Sequence, residues 1–556
     1  MTTPNTELAA AGAKPETRHF WIPLVRGYQW LARREMLACV FILVLTLGLR
    51  AALFPWLPIP QPMIHDEFSY LLAADTYAHG RLTNPPHPFW EHFETFQVLQ
   101  QPTYASKYQP LQGLVLAFGQ KFFGVPWIGI YLTTGLMCAA ICWMLQGWIA
   151  PQWALLGALF FALRVGVLSY WMNSYFPGAV AGLGGALTLG ALIRIWKRKQ
   201  FGHSLTWALG LTMIALSRPF DAAVLVCTTA GILLVWLVGK SNTPVKVLCL
   251  RVGLPSAALL GLCAVGIAYN NYQITGRALT LPDQVYEGRY TIVPMGIFSL
   301  FPLNPEPPFR HAVMREVARG SVTQWAYARG HPLVFLLIKL YLLDSFFFPF
   351  WPVLIPVLLC PYDLHTPEEH ATVFLMVAAV AMTAPLILSQ PHYVAVFAGM
   401  FYLRLLHTLT RLRSWRPWDK PVGPALGVSL VVLLASGLCI NVFSLIHSGA
   451  GRDFSSQLLL NQGSSFASAR KTVLQELEGQ PGRQLVMVRY TQEHSPHQEW
   501  VYNRADIDAS PIVWAREMGS EQDRPFLEYF HDRRVWLLEP DRSPPQLSPY
   551  PNQVSQ

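Results

Sequence analysis

MLACVFILVLTLGLRAALFPW, residues Met36–Trp56, is the stretch on which the fold turns. Its one charged residue is Arg50, and its length matches the roughly 20 apolar residues that cross a bilayer core. The preceding segment carries Arg26, Arg33 and Arg34, and no small-residue cleavage site closes the run. It therefore reads as an uncleaved anchor leaving the cytoplasm. The rest of the chain repeats this composition. Of 556 residues 52% are hydrophobic and 13% charged, against about 25% charged in an average soluble protein, and the mean hydropathy is +0.31. A nucleic-acid-binding factor, a disordered scaffold and a soluble multidomain enzyme are excluded, because none could leave so much apolar surface in water.

The net charge of +9 comes from short basic clusters between apolar runs: Arg194 to Lys199, Lys240 to Arg251, and Arg404 to Lys420. By the positive-inside rule these face the cytoplasm, so the excess charge reports topology rather than an acidic ligand. Apolar runs follow at Pro110–Phe123, Val125–Trp148, Trp153–Trp171, Gly178–Trp196, Ser204–Leu216, Ala222–Val238 and Val252–Tyr269. Later ones end near Cys360, Leu388, His407 and Phe443, while Pro332–Phe348, with Lys339 and Asp344, reads as an interfacial helix. Parity requires that one run between 110 and 171 be re-entrant, broken or tilted. The 8 cysteines lie in or beside apolar runs and form neither a disulfide framework nor a CxxC knuckle.

The expected fold is an all-α polytopic membrane protein of roughly a dozen transmembrane helices with long outer loops, plus a small C-terminal extracytoplasmic α/β domain. Its divisions are a cytoplasmic segment 1–35, a membrane domain 36–446 with outer loops 57–109 and 270–331, an α/β domain 447–542, and a proline-rich disordered tail 543–556. Within the α/β domain, Leu485–Arg489, Ile512–Trp514 and Arg534–Leu538 read as strands and Gln522–Phe530 as a helix.

The first outer loop opens with His65-Asp66-Glu67 shortly after the first span and closes with Tyr104-Ala-Ser-Lys107-Tyr108-Gln109-Pro110, which leads into the next apolar run. Two adjacent acids can also mark a helix N-terminus, where they meet unpaired N–H groups. A lysine at a helix end can snorkel, Arg218 can simply pair with Asp221, and the aromatic corner Tyr170 to Pro177 fits an interfacial belt.

In its acidic pair after the first span, its long outer loop and its Lys-Tyr-x-Pro lead into the second apolar run, the chain resembles the polyprenol-phosphate-dependent glycosyltransferases with the C-type membrane fold. These include the protein O-mannosyltransferases and the lipid A aminoarabinose transferases. Their pattern reads Lys-Tyr-Pro-Pro; here Gln109 stands in place of the first proline. The resemblance covers Met36 to Tyr269 best, and beyond that only general architecture matches.

The resemblance implies an inverting glycosyltransferase that moves a sugar from a polyprenyl-phosphate donor to an acceptor on the outer face. Transfer to a hydroxyl needs a carboxylate to take the proton and cations to stabilise the departing phosphate. Asp66 is the expected base and Glu67 an orienting neighbour, one of the two having a supporting role. Lys107 and Arg218 are the expected phosphate ligands. His65, Tyr108, Asn173, Tyr175, Asp221, His392 and Tyr393 are weaker substrate contacts. No cofactor is required by the sequence, and a divalent metal is unsupported: His494, His497 and Glu499 in the tail lack the HExxH pattern, and no nucleotide-binding loop is present. The expected partners are the lipid-linked donor, membrane lipids and an acceptor of unassigned class, with no nucleic acid. The expected location is a bacterial inner membrane, with the site and the tail outside. Two other readings stand beside this one: a transporter or flippase, which would keep ionisable residues near the bilayer midplane, and a non-catalytic anchor with a binding tail.

Overall fold

The computed structural model describes residues 15–239, 244–294, 296–299, 302–348, 366–386, 390–448 and 454–551. The N-terminal half is helical: α1 Pro15–Ala32, α2 Glu35–Ala52, α3 His65–Ala78, α4 Pro110–Phe123, α5 Trp127–Trp148, α6 Pro151–Phe161, α7 Gly178–Arg198, α8 Phe201–Ala215 and α9 Pro219–Gly239. Helices at Val245–Thr275, Pro391–Ser414 and Val422–His447 follow. Among the described residues seven helices are long and apolar enough to cross a membrane, or eight if the bent pair Ala312–Gly330 and Pro332–Phe347 is one span. The chain is a multi-pass membrane protein.

The dozen expected crossings are not all of this kind, and the reason is length. The apolar runs at Pro110, Ser204 and Ala371 fold into helices of 14, 15 and 17 residues. At 1.5 Å per residue these span roughly 21–26 Å, short of a core of about 30 Å. Among the runs weighed for parity, α6 ends after 11 residues and passes into a π-helical turn at Ala162–Val167. The run from Trp153 is thus broken, and α4 is short. The run from Pro332, expected as an interfacial helix, is helical over Pro332–Phe347 and bent by 102° against its predecessor; the span toward Cys360 lies outside the described residues.

Close packing in the bundle rests on glycine. A Cβ at Gly185 would stand 2.1 Å from the Val396 carbonyl oxygen, and one at Gly184 2.8 Å from that of Gly210. The glycine-rich face of α7 therefore lets α8 and the 3-10 turn Pro391–Phe397 approach backbone to backbone.

Two small sheets lie outside the helical bundle. β1 (Val98–Leu99) and β2 (Ala105–Ser106) form an antiparallel clip in the first outer loop. The C-terminal sheet has the order β4-β3-β5-β6, from β3 Gln484–Val488, β4 Ile512–Arg516, β5 Arg534–Glu539 and β6 Gln546–Pro549. Three strands are parallel and buried, with the helix Ser520–Tyr529 crossing from β4 to β5. The expected disorder from Ser543 onward is corrected here: Gln546–Pro549 pairs antiparallel with β5, and the Tyr550 N–H donates to the Val535 carbonyl at 3.1 Å. Proline is tolerated on this edge strand because no further strand needs its N–H.

The C-terminal domain is fastened to the first outer loop rather than hanging free. Phe68 stacks on Tyr502 at 4.3 Å, the Ala505 N–H donates to Asp75 at 2.8 Å, and Arg516 Nε donates to the Glu94 carbonyl at 2.8 Å. The first loop and the tail thus share one side of the molecule.

Candidate active site

The site is built on the start of α3. Asp66 and Glu67 occupy its first turn, so their backbone is helical and not extended, and the two carboxyls diverge by the helical rotation of about 100° per residue. Glu67 is fully buried. It accepts from the backbone N–H groups of Met63 at 2.8 Å and Ile64 at 3.2 Å with one oxygen, and from that of Tyr175 at 2.9 Å with the other. Burial pushes its carboxyl up to about 7, against the three N–H donors, which favour the anion. Glu67 is the supporting member of the pair: it ties the α3 start to the Tyr170–Pro177 corner.

Asp66 turns the other way. Its Oδ1 accepts from the Tyr108 hydroxyl, and Oδ2 has no partner among the described residues. One helical turn on, Ser69 bonds the Gln97 carbonyl at 2.6 Å and the Ser106 hydroxyl at 2.7 Å. This holds the β1–β2 clip, and with it Lys107, against α3. Residues 37 and 42 positions apart in sequence are thereby locked at one corner.

Lys107 is buried between two acids, its Nζ 2.7 Å from Glu287 and 3.0 Å from Asp283. Both stand on the short helix Pro282–Tyr290 of the second outer loop, and the Tyr286 ring lies 4.6 Å from the ammonium. Burial alone would lower the Lys107 pKa, but the two carboxylates outweigh it and push it up. Sequence reading placed these acids in the loop without a role. Their spacing of four on a helix opened by Pro282 is the signal that puts them on one face.

Arg218 reaches the same corner by another route. The Leu111 N–H donates to the Leu216 carbonyl at 2.9 Å, which joins the start of α4 to the turn before α9. Arg218 Nε donates to Asp221, and the guanidinium lies 4.5 Å over the Tyr393 ring. The ion pair weighed from sequence is therefore real, yet it uses one edge only. Nη1 and Nη2 donate to nothing among the described residues. Tyr70, stacked on Tyr108 at 4.4 Å, stands within electrostatic reach of Asp66, Arg218 and Lys107 together. The acid and the two bases thus surround one tyrosine cluster.

Other expected contacts fall elsewhere. Asn173 accepts from Arg50 Nε at 2.8 Å and donates to the Val167 and Ser169 carbonyls at 3.0 and 2.8 Å. Tyr175 donates its hydroxyl to Pro60 at 3.1 Å. Both are occupied in holding the loop, and buried Arg50 explains why: a guanidinium inside a span needs acceptors. His392 is buried against Tyr170, 2.7 Å from its hydroxyl. His65 is hydrogen-bonded to Tyr502 of the tail at 2.9 Å, and burial lowers its pKa to about 4, so it is neutral at physiological pH. Glu499 is spent on Arg516 and Tyr490, and His494 on Asp541. Among the described residues no three metal-ligating side chains lie together.

No family profile and no curated protein matches the sequence. Among solved structures, ArnT from Cupriavidus metallidurans in the apo state aligns at a TM-score of 0.51 and 11% identity, over 89% of this chain and 92% of that one. ArnT bound to undecaprenyl phosphate aligns at 0.45 and 13%, again over 89% and 92%. The archaeal oligosaccharyltransferase AglB from Archaeoglobus fulgidus, in complex with an inhibitory peptide and a dolichol-phosphate, aligns at 0.47 and 10%, over 90% of this chain and 69% of AglB. At such identities the likeness is one of fold. It is the C-type membrane fold of ArnT, the fold that the sequence resemblance implied.

Proposed function

We propose that the chain is an inverting glycosyltransferase that takes a sugar from a polyprenyl phosphate and delivers it to a hydroxyl acceptor on the outer face of a bacterial inner membrane. One observation carries this reading: among the described residues nothing bonds Asp66 Oδ2 or Arg218 Nη1 and Nη2, and the two side chains flank the same tyrosine cluster beside Lys107. The fold shared with ArnT supports it. The acceptor oxygen attacks the anomeric carbon, the bond from that carbon to the phosphate oxygen breaks, and the acceptor proton passes to Asp66. The lipid phosphate leaves with the bonding pair, its new charge met by Arg218 and Lys107. A single displacement inverts the anomeric carbon. The test is the purified chain in nanodiscs, given undecaprenyl-phosphate-linked sugars and an envelope extract. Release of undecaprenyl phosphate with no glycosylated product, or product of retained configuration, overturns the proposal.

Lys107 enters this chemistry only by exchange, because two carboxylates already hold it. A donor phosphate must replace one of them. Asp283→Asn weakens the competing pair and is expected to tighten binding of undecaprenyl phosphate by about three- to tenfold, a change of roughly 1 kcal/mol. Microscale thermophoresis in nanodiscs measures it. Unchanged affinity removes Lys107 from the phosphate site.

A further inference from the structure

Gln109 is where the sequence departs from the Lys-Tyr-Pro-Pro pattern, and its backbone does not ask for glutamine. It sits at φ −65° and ψ 155° immediately before α4, the torsion that proline imposes. Its N–H donates to nothing among the described residues. What glutamine adds is the carboxamide, and both Nε2 and Oε1 are buried and unpartnered among the described residues. Gln109 as a whole is 5% exposed. A second amide repeats this: Asn270, 4% exposed, leaves both Nδ2 and Oδ1 unpartnered among the described residues. Buried polar groups are rarely left so, because each loses its water without gaining a partner.

Gln109 stands at the corner just described, and Asn270 lies one helical turn from a residue that packs against it. Gln109 follows Tyr108, which bonds Asp66, and is two residues from Lys107. The backbone bond from Leu111 to Leu216 brings Ser217 alongside, and its Oγ is likewise buried and unpartnered. Asn270 precedes Ile274 by one turn on the helix Leu254–Thr275. The Ile274 carbonyl accepts from Thr103 at 2.9 Å, and its side chain packs with Ala105 and Tyr286, beside the β1–β2 clip.

We propose that Gln109 and Asn270 form an amide-lined subsite for the hydroxyl groups of the sugar carried by the donor. The chemistry of the orphan atoms selects this ligand. A carboxamide offers N–H donors and a carbonyl acceptor together, and so does a pair of sugar hydroxyls. A phosphodiester only accepts; it would satisfy the two nitrogens and leave both carbonyl oxygens bare. A lipid chain would satisfy neither. The sugar is bonded directly to the phosphate, so groups flanking Lys107 and Arg218 stand where its ring falls. This inference rests on the donor reading above.

The test compares binding of undecaprenyl phosphate with that of undecaprenyl-phosphate-linked glucose and mannose, using the full chain in nanodiscs. Gln109→Pro keeps the backbone and removes the amide; Gln109→Leu keeps the bulk and serves if the proline variant does not fold. Either is expected to cut the preference for the better-bound glycosylated lipid about tenfold, with affinity for the bare lipid unchanged. The melting temperature should not fall, since the amide bonds nothing in the fold. An unchanged preference, equal loss for both lipids, or a wild type that binds sugar-bearing lipid no more tightly than bare lipid overturns the subsite while leaving the donor reading intact. A wild type that binds no undecaprenyl phosphate, or binding untouched by Arg218→Ala, overturns the donor reading and the subsite with it.

Discussion

Asp66→Asn is expected to lower turnover by about 10²–10⁴-fold while leaving lipid binding and thermal stability as they are. The size follows from the role: a general base removed from a displacement leaves the acceptor oxygen to lose its proton unaided. The selectivity follows from the geometry. The Tyr108 hydroxyl donates to Asp66 Oδ1, and asparagine keeps an oxygen that can accept that bond. The substitution therefore removes the charge without removing the contact. Single-turnover assays with a radiolabelled donor separate the chemical step from binding. Turnover within threefold of wild type would exclude Asp66 as the base, and a lowered melting temperature would recast it as a structural residue.

Glu67→Ala is expected to do the opposite, costing stability before chemistry. It strips the acceptor from three buried N–H groups, those of Met63, Ile64 and Tyr175, at about 1 kcal/mol each and about 3 kcal/mol in all. The loss should depend on pH. The folded carboxyl sits at about 7 against an ordinary 4.5, so the folded state holds its proton longer than the unfolded chain does. Below pH 4.5 both states are protonated and wild type has its full advantage. Between 4.5 and 7 that advantage shrinks as pH rises, and above this window it levels off at its smallest value. The melting-temperature gap between wild type and Glu67→Ala should therefore be widest at and below pH 4.5 and narrow as pH rises to 7. A gap that does not move with pH would show that the carboxyl keeps its ordinary pKa.

These two adjacent acids show how far the sequence carries. That one of them supports the other could be read from the pair alone, but which one could not. Helical rotation aims them apart, and only the partner surfaces decide what each meets: a converging set of N–H groups for Glu67, a tyrosine hydroxyl for Asp66. Lys107 was legible as a cation beside a membrane-entering helix, yet its two acid partners come from 176 and 180 residues later. Asn173 and Tyr175 read as sugar contacts because their neighbours are aromatic and lie at an outer corner. They are occupied instead by Arg50 and Pro60, partners that sequence separation hides. The tail's proline content suggested disorder, but an edge strand needs few N–H donors, so composition misled there.

By itself the sequence determined that the chain lives in a bilayer and where its long loops fall. Those follow from transfer free energies summed along a local stretch, which need no knowledge of the neighbours. Only the tertiary structure decided which apolar runs become short or broken helices, which carboxylate is free, and which cations are already paired. Such outcomes depend on contacts with residues that can lie far along the chain, 42 positions for Asp66 and Tyr108 and 180 for Lys107 and Glu287, and no local sum contains them.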